Sequence, residues 1–309
     1  MMFFTSYKHI KKSSYKTAKG KTIKQASAKA AYHYITRTAY FSQGKEGEHV
    51  EFVQHGNMPT WATRPEEFWK AADLYERSKG RVASTLVIAL PKELSPKERT
   101  ALAKDLIVML CDQYRYPFSA AVHVHKGLIG DVDQPHLHIM HSERALDGVE
   151  RDPATFFKQP QGGGCRKITA DVLGYGREYV QHIRETVEEY TNEHLAMYAP
   201  TKIVTIDGHK IKVPSYVSCL STKAYNEQNG TNLKEINMIP PEILYSSKPK
   251  DLEEAERLKA EIRKLREENT AKMYAEQFRQ QVGYYPQAVL DTKKPKPKQE
   301  KSSSMDFDF

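Results

Sequence analysis

The chain has 309 residues, 39% of them hydrophobic, with a formal net charge of +8 and three cysteines. That length holds one large domain with an appendage, and the apolar content is enough for a core. No apolar run is long enough to span a bilayer, the Met1–Phe4 start is too short for a secretory signal, and Cys111, Cys165 and Cys219 are too scattered for a disulfide frame or zinc knuckle, so the expectation is a cytoplasmic protein with free thiols and no membrane insertion.

The first strand is expected at residues 3–7, followed by a Lys/Ser/Gly loop to Lys21. Residues 23–41, rich in Ala, Lys and Gln, read as a helix. No acidic residue precedes Glu46, whereas Lys8, Lys11, Lys12, Lys16, Lys19, Lys21, Lys24, Lys29 and Arg37 all fall before it, interleaved with Tyr7, Tyr15, Tyr32, Tyr34 and Tyr40. Cations among aromatics suit a polyanion with stackable bases, and a solvated basic arm is the plainer alternative.

Residues 46–53 read as a polar loop, and a helix with Pro65 in its first turn carries Phe68, Ala72 and Tyr75 on one face. Residues 82–90 (VASTLVIAL) form the best strand by β-branched content. Ser95-Pro-Lys-Glu98 fits a capping box and opens a helix with Leu102, Leu106, Met109 and Leu110 facing inward. Residues 179–197 are a further helix with Val180, Ile183, Val187 and Tyr190 inward. Asp207-Gly208 between residues 202–206 and 209–213 signals a tight hairpin. A charged helix at 251–281 places Ala255, Leu258, Ile262 and Leu265 three and four residues apart, too few heptads for a firm coiled coil. The Lys/Pro stretch and the tail after it are expected to be disordered.

The segment between these helices carries most of the chemistry. His136-Leu137-His138 lies in a short apolar run, so on a strand its two imidazoles share one face while Leu137 and Ile139 enter the core. Residues 119–123 read as a neighbouring strand, joined by a Gly/Asp/Pro loop too short for a crossover, which brings His123 alongside and makes the pairing antiparallel. Three imidazoles on one face suit a divalent ion with open coordination positions. A pair of half-buried, hydrogen-bonded histidines explains His-x-His as well, and spacing alone leaves both readings open.

The motifs and their order resemble the MobA/MobL plasmid-mobilisation relaxases of the HUH endonuclease class, closest to the IncQ-type MobA members. The resemblance covers roughly residues 1–195 and rests on Ser27-Ala-Lys-Ala-Ala-Tyr-His-Tyr34-Ile-Thr-Arg37, His55-Gly-Asn-Met-Pro59, Trp69-Lys-Ala-Ala-Asp-Leu-Tyr-Glu-Arg77, Gly80-Arg81, Ala89-Leu-Pro-Lys-Glu-Leu94, Pro135-His-Leu-His-Ile-Met-His-Ser-Glu-Arg144 and Asp147-Gly148.

It implies an α+β fold, an antiparallel sheet flanked by helices, with a relaxase domain over residues 1–200, a hairpin and connecting extension over 201–250, a charged helix over 251–285 and a disordered tail over 286–309. It implies Mg²⁺ or Mn²⁺ on His123, His136 and His138, with His125 a neighbour that has no counterpart. A tyrosine nucleophile seven residues after the helix-opening Ser27 and three before Arg37 is Tyr34. Tyr32 is the alternative and Tyr40 a distant third; positions 32 and 34 lie about 200° apart around a helix, so one alone faces the ion. Relatives carry a Glu in the strand before Ala-Leu-Pro where this chain has Thr85, which leaves Glu76 and Glu93 as acidic candidates behind the ligands, each also readable as merely solvated.

The implied activity is strand-specific nicking and rejoining of DNA at a plasmid transfer origin through a 5′-phosphotyrosyl link, with single-stranded DNA, accessory mobilisation proteins and a type IV secretion coupling protein as partners. A rolling-circle replication initiator, a transposase, or an accessory DNA-binding protein without nicking are the alternatives.

Overall fold

The computed structural model describes residues 4–16, 22–23, 26–42, 47–127, 129, 132–206 and 209–282. Lys19, Lys21, Lys24, the Asp207-Gly208 turn and the tail from residue 283 lie outside these residues, as does the side chain of Lys16.

The chain forms two compact units, one of residues 1–202 and 215–219, the other of residues 203–214 and 220–309. In the first, β1 (Thr5–Lys11) leads through a small ladder of β2 (Tyr15–Lys16) and β3 (Thr22–Ile23) into α1 (Ala28–Thr36). Helix α1 is shorter than its composition predicts. The Ser27 hydroxyl caps the Ala30 amide and donates to Asp73, whose carboxylate also accepts the Ala28 and Lys29 amides, so a negative charge sits on the helix start. At the other end Arg37 adopts a left-handed φ of 52° and stops the helix.

Next come β4 (His49–Gly56), α2 (Pro65–Tyr75), β5 (Arg81–Ala89), α3 (Pro96–Leu110), β6 (Phe118–Lys126), β7 (Asp133–His141), the short α4 (Pro153–Phe156) and α5 (Tyr179–Tyr198). β1, β5, β7, β6 and β4 form one antiparallel sheet in that order. The expected loop at residues 46–53 is therefore largely an edge strand.

Helices cover both faces of the sheet. On one, Leu86, Ile88, Leu137, Ile139, Val122 and Phe118 pack with Leu102, Leu106 and Ile107 of α3 and Tyr179, Ile183 and Val187 of α5. The buried stripe of α5 begins at Tyr179 rather than Val180, which is exposed, and Ile107 is buried where Met109 was expected. On the other, Ala83, Ala121 and Met140 pack with Tyr32 and Ile35 of α1 and Phe68 and Trp69 of α2. Trp69 is fully buried, and its indole N–H is satisfied by the Ser119 hydroxyl at 2.9 Å. Burying side chains of this size stabilises by roughly 1.5–3 kcal/mol each.

In the second unit, β8 (Thr201–Ile206) and β9 (His209–Pro214) make a two-stranded ladder, followed by α6 (Thr222–Asn229), α7 (Pro241–Leu244) and α8 (Pro249–Val282). Ala255, Ile262, Met273 and Tyr274 of α8 are buried, and Asn269 pairs with both the amide and the carbonyl of Lys234. No helix of the described residues is long and apolar enough to cross a membrane.

Candidate active site

The register of the two central strands assembles the site. His123 of β6 stands directly opposite His136 of β7, and Ala121 opposite His138, so the pleat turns all three imidazoles to the face that α1 covers. Small Ala121 leaves room beside His138. The ring centroids of His123, His136 and His138 are 4.6 to 5.5 Å apart, and one nitrogen of each lies within 4.8 Å of the others.

Hydrogen bonds fix which nitrogens carry lone pairs. His123 Nε2 donates to the carbonyl of Ile35 in the last turn of α1 at 2.5 Å, which leaves Nδ1 as the lone pair. His136 Nδ1 donates to the Gln134 carbonyl at 3.1 Å and leaves Nε2. His138 Nε2 is buried without a hydrogen-bond partner. Burial pushes the pKa of His123 down, that of His136 to about 4 and that of His138 to about 2; Arg37 adds to the effect at His123 and His138, and repulsion from neighbouring imidazoles adds to it at His136 and His138. Near neutrality all three are neutral. A donor set of converging neutral imidazoles, two of them (His123 and His138) with an orphaned nitrogen in the interior, fits a divalent ion better than it fits a self-satisfied core.

Tyr34 leans on this cluster, its ring edge-to-face with His138 at 6.2 Å between centroids. The left-handed cap at Arg37 folds its guanidinium back over Tyr34, 4.2 Å from the ring centre, while Nη1 donates to the Tyr34 carbonyl at 2.7 Å. Arg37 Nη2 also donates to both Glu48 carboxylate oxygens at 2.6 Å. Tyr32 points the other way, half a turn or more around α1. It is buried near His33 and His55, and burial together with nearby Glu66 raises its pKa. Tyr40 is 94% exposed, outside Phe41, which lies between it and Tyr34.

Glu48, at the mouth of β4, is the residue that sequence reading missed. Its side chain is only 5% exposed, Oε1 is 3.3 Å from His123 Nδ1, and with His125 and His136 it forms a second group whose ligand atoms lie within 4.8 Å. His125 itself sits 4.8 Å from the His136 ring.

The two acids named beforehand are elsewhere. Glu76 is buried in a salt bridge to Arg144 at 3.0 Å and Lys167 at 3.1 Å, and Glu93 pairs with Lys202 at 2.8 Å. Each offsets a cation in the body of the domain, so neither stands behind the histidines.

The basic residues also divide. Lys8 is exposed on edge strand β1, and Lys11 lies at a bulge against Arg81. Lys12, by contrast, donates to the Leu74 and Glu76 carbonyls at the end of α2, Lys29 pairs with Glu66, and Arg37 is held by Glu48. These three serve internal contacts rather than forming a free cationic surface.

Among curated proteins, a 43 kDa relaxation protein of Salmonella typhimurium is 42% identical over 141 residues, which is 45% of this chain and 37% of that one. Mobilization protein A of Escherichia coli is 34% identical over 174 residues, 55% of this chain and 23% of that one. This chain thus matches well under half the length of either relative. Among solved structures, one described as the molecular basis of vancomycin resistance transfer in Staphylococcus aureus superposes with a TM-score of 0.45 at 19% identity, covering 72% of this chain and 100% of that one. The manganese-bound MobM relaxase domain on plasmid oriT DNA gives 0.34 at 13% identity, covering 63% of this chain and 87% of that one. The model of the MobA/MobL family matches residues 18–212, a span that contains α1, the sheet strands from β4 to β7 and every residue of the histidine cluster. With well over half of its length matched, this chain belongs to the MobA/MobL family.

Proposed function

We propose that this chain is a DNA relaxase, which nicks one strand at a plasmid transfer origin and later rejoins it. The observation that carries this reading is the placement of Tyr34 against His138 beside three converging imidazoles, in a chain of this family. His123, His136 and His138 would hold a divalent ion, Mg²⁺ or Mn²⁺. Such an ion neutralises charge on the phosphate oxygens and orients the phosphate for in-line displacement.

The rest of the chemistry belongs to the chain. The Tyr34 hydroxyl oxygen attacks phosphorus, the Tyr–O–P bond forms as the P–O3′ bond breaks, and the strand leaves with a free 3′ hydroxyl. Arg37 holds the phenol ring by stacking and ties the α1 terminus to it through the Tyr34 carbonyl. Because the phosphodiester energy is retained in the tyrosyl ester, a 3′ hydroxyl returning to the site reverses the step. Exposed Lys8 and the other lysines before Ala28, apart from Lys12 at the end of α2, would meet the phosphate backbone of single-stranded DNA. Residues 1–200 are the relaxase domain in this reading, and 201–250, 251–285 and 286–309 its extension, charged helix and tail. Cytoplasmic action with accessory mobilisation proteins and a type IV secretion coupling protein belongs to the same proposal.

The test uses end-labelled single-stranded oligonucleotides covering the candidate transfer origin, incubated with Mg²⁺ or Mn²⁺ and run on a denaturing gel. A labelled protein band and a shortened oligonucleotide are expected. Retention of DNA on a native gel, with neither product after denaturation, points instead to a DNA-binding accessory protein.

A further inference from the structure

We propose that Glu48 is a ligand of the ion held at the histidines, and that its carboxylate is what admits a hard cation such as Mg²⁺ to a site otherwise built of nitrogen. This rests on the relaxase reading above, in which the histidines hold an ion.

His123 of β6 is tied to the last turn of α1. Its Nε2 donates to the Ile35 carbonyl, so Nδ1 presents a lone pair, and that atom is buried without a hydrogen bond. The atom it faces is Glu48 Oε1, at 3.3 Å. Two acceptors face one another in the interior, each shielded from water: the His123 side chain is 0% exposed and that of Glu48 5%. Such a pair is costly unless a positive charge lies beside both. Arg37 supplies part of that charge to Glu48 through Nη2, but no Arg37 contact reaches His123 Nδ1 among the described bonds. A divalent ion bound by Oε1 and Nδ1 together would give Nδ1 the partner it lacks, while Oε2 keeps Arg37 in place over Tyr34.

The second group of Glu48, His125 and His136 points the same way, since it brings the carboxylate within ligand distance of His136, a member of the first group. The chemistry explains why a carboxylate is useful here. Imidazole suits Ni²⁺ and Zn²⁺, whereas Mg²⁺ takes oxygen ligands almost exclusively, and three neutral imidazoles bring no negative charge to offset its own. Glu48 adds an oxygen and a charge in one residue. It also joins the ion to the tyrosine through a single chain of contacts, Glu48 to Arg37 to the Tyr34 ring, so that a shift of the carboxylate is felt at the nucleophile.

The experiment is a calorimetric titration of the full chain with Mg²⁺ and, separately, Ni²⁺, for wild type, Glu48→Gln, Glu48→Asp and the double variant His136→Ala/His138→Ala. Glu48→Gln keeps the shape and one acceptor oxygen for Arg37 but loses the charge. It should weaken Mg²⁺ binding by about tenfold or more and Ni²⁺ binding by about threefold or less, and Glu48→Asp should recover part of the Mg²⁺ loss. Circular dichroism of each variant shows that it is folded. Equal weakening of both metals, or no weakening of either, overturns Glu48 as an oxygen ligand. If wild type and the histidine double variant bind both ions alike, the histidine site itself fails, and that outcome is told apart from failure of Glu48 alone.

Discussion

The guanidinium of Arg37 lies 4.2 Å from the centre of the Tyr34 ring while gripping the carboxylate of Glu48, so one side chain ties the end of α1 to the edge of the sheet and fixes the phenol between them. The left-handed backbone at Arg37 ends α1 there, and the side chain folds back over the residue three positions earlier.

Lysine at this position keeps the charge but not the planar stacking fork. Arg37→Lys should slow formation of the covalent DNA adduct by about tenfold, matching the ~1–2 kcal/mol of a partly desolvated cation–π contact and a bidentate pair. Single-turnover kinetics at saturating oligonucleotide give the ratio, and an unchanged rate would remove Arg37 from the tyrosine's support.

Replacing both His136 and His138 with Ala should abolish nicking, as should a chelator in the wild type. Added Mn²⁺ should restore the chelated wild type and leave the double variant inactive. Nicking that persists in the double variant excludes the histidine ion site.

The Glu76 carboxylate is buried at the opposite end of the sheet with Arg144 and Lys167, and Arg144 also donates to the carbonyls of Phe157, Lys158 and Cys165. The two cations hold the acid's pKa down even though burial pushes the other way. Removing one partner of a buried pair is costly, so Glu76→Ala should destabilise the protein by about 3–5 kcal/mol in denaturant titrations, with nicking per folded molecule unchanged. Loss of turnover at full stability would place Glu76 in the chemistry after all.

His141 is buried between the rings of Tyr116 and Tyr7, and burial lowers its pKa to about 4; His9 is lowered to about 4 by burial and by Arg81. As pH falls below the ordinary histidine value of 6.5, the unfolded chain takes up these protons before the folded one does. Their stabilisation is therefore full above 6.5 and drains away as the pH approaches about 4. The melting temperature should fall across this window, and His141→Phe, which keeps the stacking, should flatten the slope. An identical slope in the variant would mean that His141 titrates normally.

The histidine face was legible in the sequence because strand periodicity is two, so His136-x-His138 fixes a face without further information. Tyr34 and Tyr32 were separable for the same kind of reason, since positions two apart on a helix point in nearly opposite directions, and the structure sets one on the histidines and the other in the core. Glu48 was hidden by irregularity. Strand β4 is bulged between Val50 and Phe52, which breaks the alternation, and Glu51 there is drawn to Arg99 of α3. A polar edge strand with a broken period reads as a loop. The roles of Glu76, Glu93 and Lys12 were equally hidden, because each is set by a partner more than sixty residues away in sequence.

The central claim is that Tyr34, and not Tyr32, forms the bond to DNA. It is tested most directly by mass spectrometry of the adduct trapped from a labelled oligonucleotide, in wild type, Tyr34→Phe and Tyr32→Phe. A phosphotyrosyl peptide carrying Tyr34 is expected in wild type, the same peptide in Tyr32→Phe, and no adduct in Tyr34→Phe although it still binds the oligonucleotide. An adduct that survives in Tyr34→Phe and disappears in Tyr32→Phe would contradict that claim.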